Sequence, residues 1–271
     1  MDVNGSAVLA EGVRKRYGDG YALNGFDLSV PGGTVCGLLG PNGAGKTTAV
    51  RVLATLLRYE EGRAVVAGHD VAREADRVRR RIGLVGQNPA VDEELSGYRN
   101  LVMFGRLHRF GAREAGLRAS RLLERFQLEE AADRPVGTYS GGMRRRLDLA
   151  VGMIPTPVVL FLDEPTVGLD PRGRNEVWRA IRELVADGTT VVLTTQYLDE
   201  ADQLASRINV IDAGRVIAED SPENLKSLVG DDRVEFVVHD ARQLGVAAAL
   251  VARVGDGDPV VDGDNRRVGV R

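Results

Sequence analysis

The sequence predicts an α/β fold: a largely parallel sheet with helices on both faces, an antiparallel β part ahead of it and a helical insertion within it. Three observations carry this expectation. The apolar run at residues 35–39 leads into a glycine-rich loop and then a helical pattern. A second apolar run, residues 158–162, ends in Asp163 and Glu164. Strand and helix patterns then alternate to about residue 204.

Taken in order, residues 8–13 and 21–30 alternate apolar and polar side chains around the turn Gly18-Asp19-Gly20, the pattern of an antiparallel pair. Pro31-Gly32-Gly33 turns the chain into residues 35–39, whose unbroken apolar character fits a strand buried on both faces. A helix is expected from about 46 to 57, and strands at 64–67 and 82–85. Residues 88–153 read as mainly helical, with Leu101, Phe104 and Leu107 at helical spacing and Leu117, Leu122 and Phe126 likewise. Strand, helix, strand, helix follow at 158–162, 174–186, 190–194 and 198–204, and a hairpin at 208–211 and 216–218 turns about Ala213-Gly214. Residues 1–220 thus form one domain. Residues 221–271 form a small appendage with a strand at 234–238, a helix at 242–254, a strand at 267–270 and no obvious closing element.

Composition narrows the function classes. A net charge of -3 carries no sign of the basic surface that nucleic-acid binders use. The single cysteine, Cys36, precludes an internal disulfide and fits a reducing, cytoplasmic setting. No stretch approaches the roughly 18 apolar residues of a membrane helix, so any membrane span must come from another chain. Lysine occurs only at positions 15, 46 and 226 among 36 basic residues, which makes the lysine at 46 conspicuous.

Gly40-Pro41-Asn42-Gly43-Ala44-Gly45-Lys46-Thr47 matches G-x-x-x-x-G-K-[ST] between a strand and a helix. Glycines let such a backbone wrap a phosphate with its N–H groups inward, and the helix start adds positive potential. Lys46 would place an ammonium on the outer phosphates, Thr47 a hydroxyl on magnesium, and Thr48 belongs to the same helix start. Asp163 can hold magnesium, and Glu164 can orient and deprotonate the attacking water. The alternatives are a chance glycine-rich turn and a buried strand that happens to end in acids. Ser140-Gly141-Gly142, a serine and two glycines opening a helix, makes a second phosphate-binding helix start. One nucleotide already has its loop, so the second start points to a nucleotide held by another copy.

In this order the motifs over residues 7–220 resemble the nucleotide-binding subunits of ATP-binding-cassette (ABC) transporters. The resemblance implies a P-loop NTPase with a mixed-sheet core, an antiparallel β subdomain and a helical subdomain at about 88–153. It implies ATP and Mg2+ as cofactors. It also implies that Tyr17 stacks on adenine, that Gln87 touches magnesium and the attacking water, that Ser140, Gly141 and Gly142 hold the γ-phosphate on the opposite subunit, and that Asp170 lines the dimer seam. Each has a plain alternative: a surface tyrosine, a solvated glutamine, an aspartate capping the helix at Pro171. Two positions depart from the family: Met143 stands where glutamine is usual, and Gln196 stands in the slot of the switch histidine. Both departures, in YSGGMRRRLDLA and TTQYLDEADQLA, resemble the ATPases of daunorubicin-resistance-type drug exporters, which implies a chain that continues past Arg271.

The expectation is therefore an ATP-dependent homodimer that hydrolyses ATP, with Glu164 and Gln196 as catalytic residues, and energises a separate transmembrane permease from the cytoplasmic face of the membrane. The other readings are a soluble ABC ATPase outside transport and a weakly hydrolysing regulatory subunit. Arg144-Arg145-Arg146 reads either as a partner-binding patch or as a solvated helix face, and residues 95–110 as core with a groove for a partner's helix beside Gln87.

Overall fold

The computed structural model describes residues 5–229, 234–253, 259–263 and 266–270. The chain divides into two compact units, Met1–Pro222 and Glu223–Arg271.

In the first unit, β1 (Ser6–Tyr17), β2 (Gly20–Pro31), β4 (Glu61–Val66) and β5 (His69–Asp70) form an antiparallel sheet in the order β2-β1-β4-β5. Between them in sequence lie β3 (Val35–Leu39) and α1 (Lys46–Leu53). The short α2 (Ala75–Arg79) leads to β6 (Ile82–Val85). β7 (Val159–Asp163), α6 (Pro171–Ala186), β8 (Thr190–Thr195), α7 (Leu198–Leu204), β9 (Arg207–Asp212) and β10 (Arg215–Asp220) complete a six-stranded sheet ordered β10-β9-β3-β8-β7-β6. All its neighbours run parallel except the edge strand β10, which the turn at Ala213-Gly214 returns antiparallel to β9. The mixed core and the antiparallel subdomain are thus as the sequence predicts. One hydrophobic core joins Val8, Phe26 and Val66 of the antiparallel strands to Val50 and Leu53 of α1 and to Leu38 and Phe161 of the central strands. α1 is shorter than expected: Thr55 takes a left-handed φ of 65° and the chain turns out of the helix there.

The insertion is α3 (Gly97–Leu107), α4 (Ala112–Arg125) and α5 (Gly141–Met153). The apolar stripe expected on α4 needs correction. Leu117 is exposed and Leu122 half-buried, while Ala115, Ala119 and Leu123 are buried. The cause is close packing: a Cβ on Gly105 of α3 would lie 3.0 Å from Ala115 Cβ, so small residues rather than large ones meet across this pair. α5 rests on β6 by the same device, since a Cβ on Gly83 would lie 2.2 Å from the Gly152 carbonyl oxygen.

The second unit contains β11 (Val234–Val237), α9 (Leu244–Val251), β12 (Val260–Asp262) and β13 (Arg267–Val270), in a sheet ordered β11-β13-β12. α8 (Pro222–Val229), which the sequence reading did not anticipate, leads into it. Leu244, Ala247 and Ala248 pack with the buried Val251 and Val268. β12 is the closing element that the sequence did not reveal. It is three residues long and exposed throughout, too short for an alternating pattern. The predicted helix at 242–254 ends at Val251, and residue 254 lies outside the described residues.

Candidate nucleotide site

The registers of the parallel strands bring the candidate residues to one end of the sheet. Leu39 lies opposite Thr195, Asp163 opposite Thr194, and Val85 opposite Leu162. The residues that leave those strands, Gly40, Glu164, Gln196 and Gln87, therefore emerge together at their carboxyl ends, where open α/β sheets place their ligands.

The glycine-rich loop crosses this end. Gly45 holds φ 107°, which L side chains rarely adopt, and a Cβ there would lie 2.4 Å from the Ala22 carbonyl oxygen of β2. A Cβ on Gly40 would lie 2.3 Å from the Ile211 carbonyl oxygen. Gly43 holds φ 83°, Ala44 is buried, and Pro41 and Asn42 are exposed at the rim. The first N–H groups of α1, from Lys46, Thr47 and Thr48, have no acceptor within their own helix and leave a donor-lined cradle. Lys46 is 5% exposed, and its Nζ donates to the carbonyls of Gly40 (2.7 Å) and Pro41 (3.0 Å). Burial pulls its ammonium below the ordinary lysine range, while Glu164 and then Asp163 pull it back up.

The carboxylates are held as differently as their expected roles. Asp163 is buried, and its Oδ1 accepts from Thr194 Oγ1 at 2.6 Å and from Thr47 Oγ1 at 3.2 Å. Glu164 lies just past the strand at φ 48°, a left-handed conformation that costs a non-glycine residue about 1–2 kcal/mol. Its N–H donates to Thr194 Oγ1 (3.0 Å) and to the Thr194 carbonyl (3.2 Å), which fixes the turn. Its carboxylate stands 3.8 Å from Lys46 Nζ. Thr194 was missed at the sequence level. The available signal was a threonine at the end of the strand adjoining Asp163, and it needs the strand order to be read.

Gln87 and Gln196 are exposed past the ends of β6 and β8. Tyr17, 53% exposed, ends β1 opposite Gly20, in the hairpin whose Ala22 touches Gly45. Lys15 Nζ lies 5.7 Å from the Tyr17 ring centroid.

The second helix start is built otherwise. Ser140 is the N-cap of α5, and its Oγ accepts from Met143 N–H at 3.2 Å. Ser140 and Gly141 are exposed. Gly142 is buried against α6, where a Cβ would lie 3.2 Å from Gly173 Cα. Asp170 does cap α6, accepting from Gly173 N–H at 3.0 Å with Pro171 behind it. Ser140, Gly142, Met143, Asp170 and Gly173 line one open cleft.

The family model for ABC transporters matches residues 23–167. The chain is 63% identical over 266 residues to the daunorubicin resistance ATP-binding protein DrrA2 of Streptomyces coeruleorubidus, covering 98% of this chain and 83% of that one. This chain is an ABC transporter ATP-binding protein. Among solved structures it resembles cbiO1 of Clostridium perfringens, part of the ABC transporter complex cbiONQ, with a TM-score of 0.77 and 25% identity over 92% of this chain and 98% of that one. It also resembles a bacterial ABC transporter cassette solved as a dimer, with a TM-score of 0.71 and 26% identity over 79% of this chain and 98% of that one. An ABC cassette binds nucleotide. Among the described residues no helix is long and apolar enough to cross a membrane.

The reading of the arginine run as a solvated helix face needs correction at Arg145. Arg145 is 5% exposed and sits inside the fold, and Arg146 donates to the carbonyls of Phe126 (2.8 Å) and Gln127 (3.3 Å). Arg144 pairs with Glu93 at 2.9 Å. α5 packs against β6 and α6, and the arginines differ accordingly: Arg145 is buried, Arg146 is largely covered, and Arg144 keeps a 30% exposed side chain.

Proposed function

We propose that this chain hydrolyses ATP with magnesium as one half of a homodimer, and thereby powers a separate transmembrane permease that exports a drug or similar hydrophobic compound. One observation carries the reading: Lys46, Asp163 and Glu164 converge at a donor-lined cradle, while the start of α5 leaves its serine and Gly141 exposed. Such an arrangement calls for a second copy to supply the missing half on each side.

In this reading Lys46 and the N–H groups of residues 43–48 hold the β- and γ-phosphates. Thr47, Asp163 and Gln87 would hold magnesium, which would supply positive charge beside those phosphates. One carboxylate beside a hydroxyl, as Asp163 beside Thr47, is the kind of sparse protein ligand set that Mg2+ uses together with a substrate's phosphates. Glu164, held at its turn by Thr194, orients and deprotonates the water. A γ-phosphate competes with Glu164 for Lys46, which frees the carboxylate for that task. Ser140, Gly141 and Gly142 of the second copy close over the γ-phosphate, with Asp170 at the seam and Tyr17 against the adenine. Gln196, which lacks the cationic form of a histidine, contributes an amide donor.

A groove lined by Leu84, Ala90, Phe104, Val151, Gly152 and Pro155 lies beside the Gln87 loop and fits a helix of a permease. That partner would hold the chain at the inner face of the membrane. The export of a drug rests on the daunorubicin resistance protein to which the chain is so similar. The weakly hydrolysing alternative rests on Gln196, and the same assay weighs it. Glu164→Gln keeps the shape of the site and removes the base, so with ATP and Mg2+ it should elute as a dimer in size-exclusion chromatography while the wild type hydrolyses ATP and elutes as a monomer. A wild-type chain without ATPase activity, together with a Glu164→Gln chain that stays monomeric, defeats the proposal.

A further inference from the structure

Arg145 is the most heavily engaged cation among the described residues, and none of the roles above uses it. Its Nε donates to the Pro165 carbonyl at 2.7 Å. Nη1 donates to the Gly86 carbonyl at 2.7 Å and to Asp148 Oδ2 at 3.0 Å, and Nη2 to the Asp163 carbonyl at 3.3 Å. Gly86 precedes Gln87, and Asp163 and Pro165 flank Glu164. Asp148, 2% exposed, adds a second tie to the same loop by accepting from Ala90 N–H at 3.0 Å. We propose that Arg145 is a positioning residue: one buried guanidinium that couples the outward-facing start of α5 to the Gln87 loop and to the Asp163–Glu164 turn of its own chain.

Three physical points support this. Ser140 and Arg145 stand on one rigid helix, little more than a turn apart, so a displacement of the helix start by an opposing nucleotide is carried to both loops. A guanidinium presents its donors as a rigid planar fork, so the Pro165, Gly86 and Asp163 carbonyls are fixed relative to one another; a lysine ammonium has no such fork. The pair is also costly as a simple staple. Burial pulls Arg145 below the ordinary arginine range, with Asp148 and then Glu200 opposing it, and pushes the Asp148 carboxyl up. Buried ion pairs of this kind are often replaceable by neutral residues without loss of stability, so stability alone does not account for contacts aimed at two functional loops.

The inference rests on the ATPase reading, and its test keeps the two apart. Arg145→Met combined with Asp148→Asn removes both charges and leaves an acceptor for Ala90 N–H. The full chain is compared with wild type for melting temperature, KM for ATP and kcat. The expected result is a folded protein whose kcat falls about 10- to 100-fold while KM stays within about twofold, because a misplacement of about 1 Å at a catalytic group costs on the order of 10²-fold. A folded variant with wild-type kcat overturns the proposal. Should the double variant fail to fold, Arg145→Lys keeps the charge opposite Asp148 and loses the fork; a fall in kcat at unchanged KM supports the role, and an unchanged kcat overturns it. A wild-type chain that hydrolyses nothing defeats the ATPase reading itself, and the inference with it.

Discussion

The helix starts of α1 and α5 in the first unit use the same local chemistry in opposite settings. At α1 the cradle is walled by other parts of the chain: Gly45 against Ala22, Gly40 against Ile211, Lys46 buried beside Glu164, and Asp163 held by two threonine hydroxyls. At α5, Ser140 satisfies only its own helix, Gly141 is exposed, and the cleft before it is open. A helix N-terminus is thus a common device, and the surroundings decide what it does. One that is enclosed by its own chain can bind a nucleotide by itself; one that is left open can act only on a nucleotide brought by another molecule.

The largest effect that tests this contrast falls on the enclosed site. Lys46→Ala removes the ammonium that is held among the Gly40 and Pro41 carbonyls, and it should abolish ATP binding in calorimetry. ATP affinity equal to wild type would erase the distinction drawn between the two starts. The open site should respond in kinetics instead. Gly141→Asp places a carboxylate on its exposed face, where only the end of the Leu169 side chain lies near, at 3.3 Å from the added Cβ. ATP affinity of the single chain should stay within about twofold, whereas turnover should fall by about 10²–10³-fold, the scale on which electrostatic support of developing charge acts, because the added carboxylate opposes that charge. Equal losses in both measurements would show that the start of α5 serves its own chain's nucleotide.

The smallest effect is expected at Gln196, at the edge between the two settings. It leaves β8 at the enclosed end of the sheet, yet its side chain is exposed. Gln196→Ala should leave binding intact and lower turnover by up to roughly 10²-fold, since one amide donor is lost among several phosphate contacts. Gln196→His is expected to raise the rate by supplying a group that can carry charge. Steady-state ATPase assays on both variants measure this, and an alanine variant as fast as wild type removes Gln196 from the chemistry.

Much was determined by sequence alone. The glycine-rich loop between a strand and a helix, the strand ending at Asp163, the helix start at Ser140 and the alternation of strands and helices were all legible, because each is a local pattern whose spacing dictates its own backbone. The packed face of α4 was not, since its stripe runs through Ala115 and Ala119 and the sequence reading followed the larger side chains. β12 was too short to show a period and exists through its pairing with β13. The left-handed turn at Glu164, and the hold of Thr194 on the Asp163 carboxylate and on the Glu164 backbone N–H, come from residues 30 and 31 positions apart, joined only by strand order. Arg145 is the clearest case. In sequence it is the middle of three arginines, and a charge run on a helix gives no sign of which side chain turns inward. The turns at Gly86 and at Asp163–Pro165 enclose that one guanidinium, because long-range contacts, and not local propensity, choose which face of a helix loses its water.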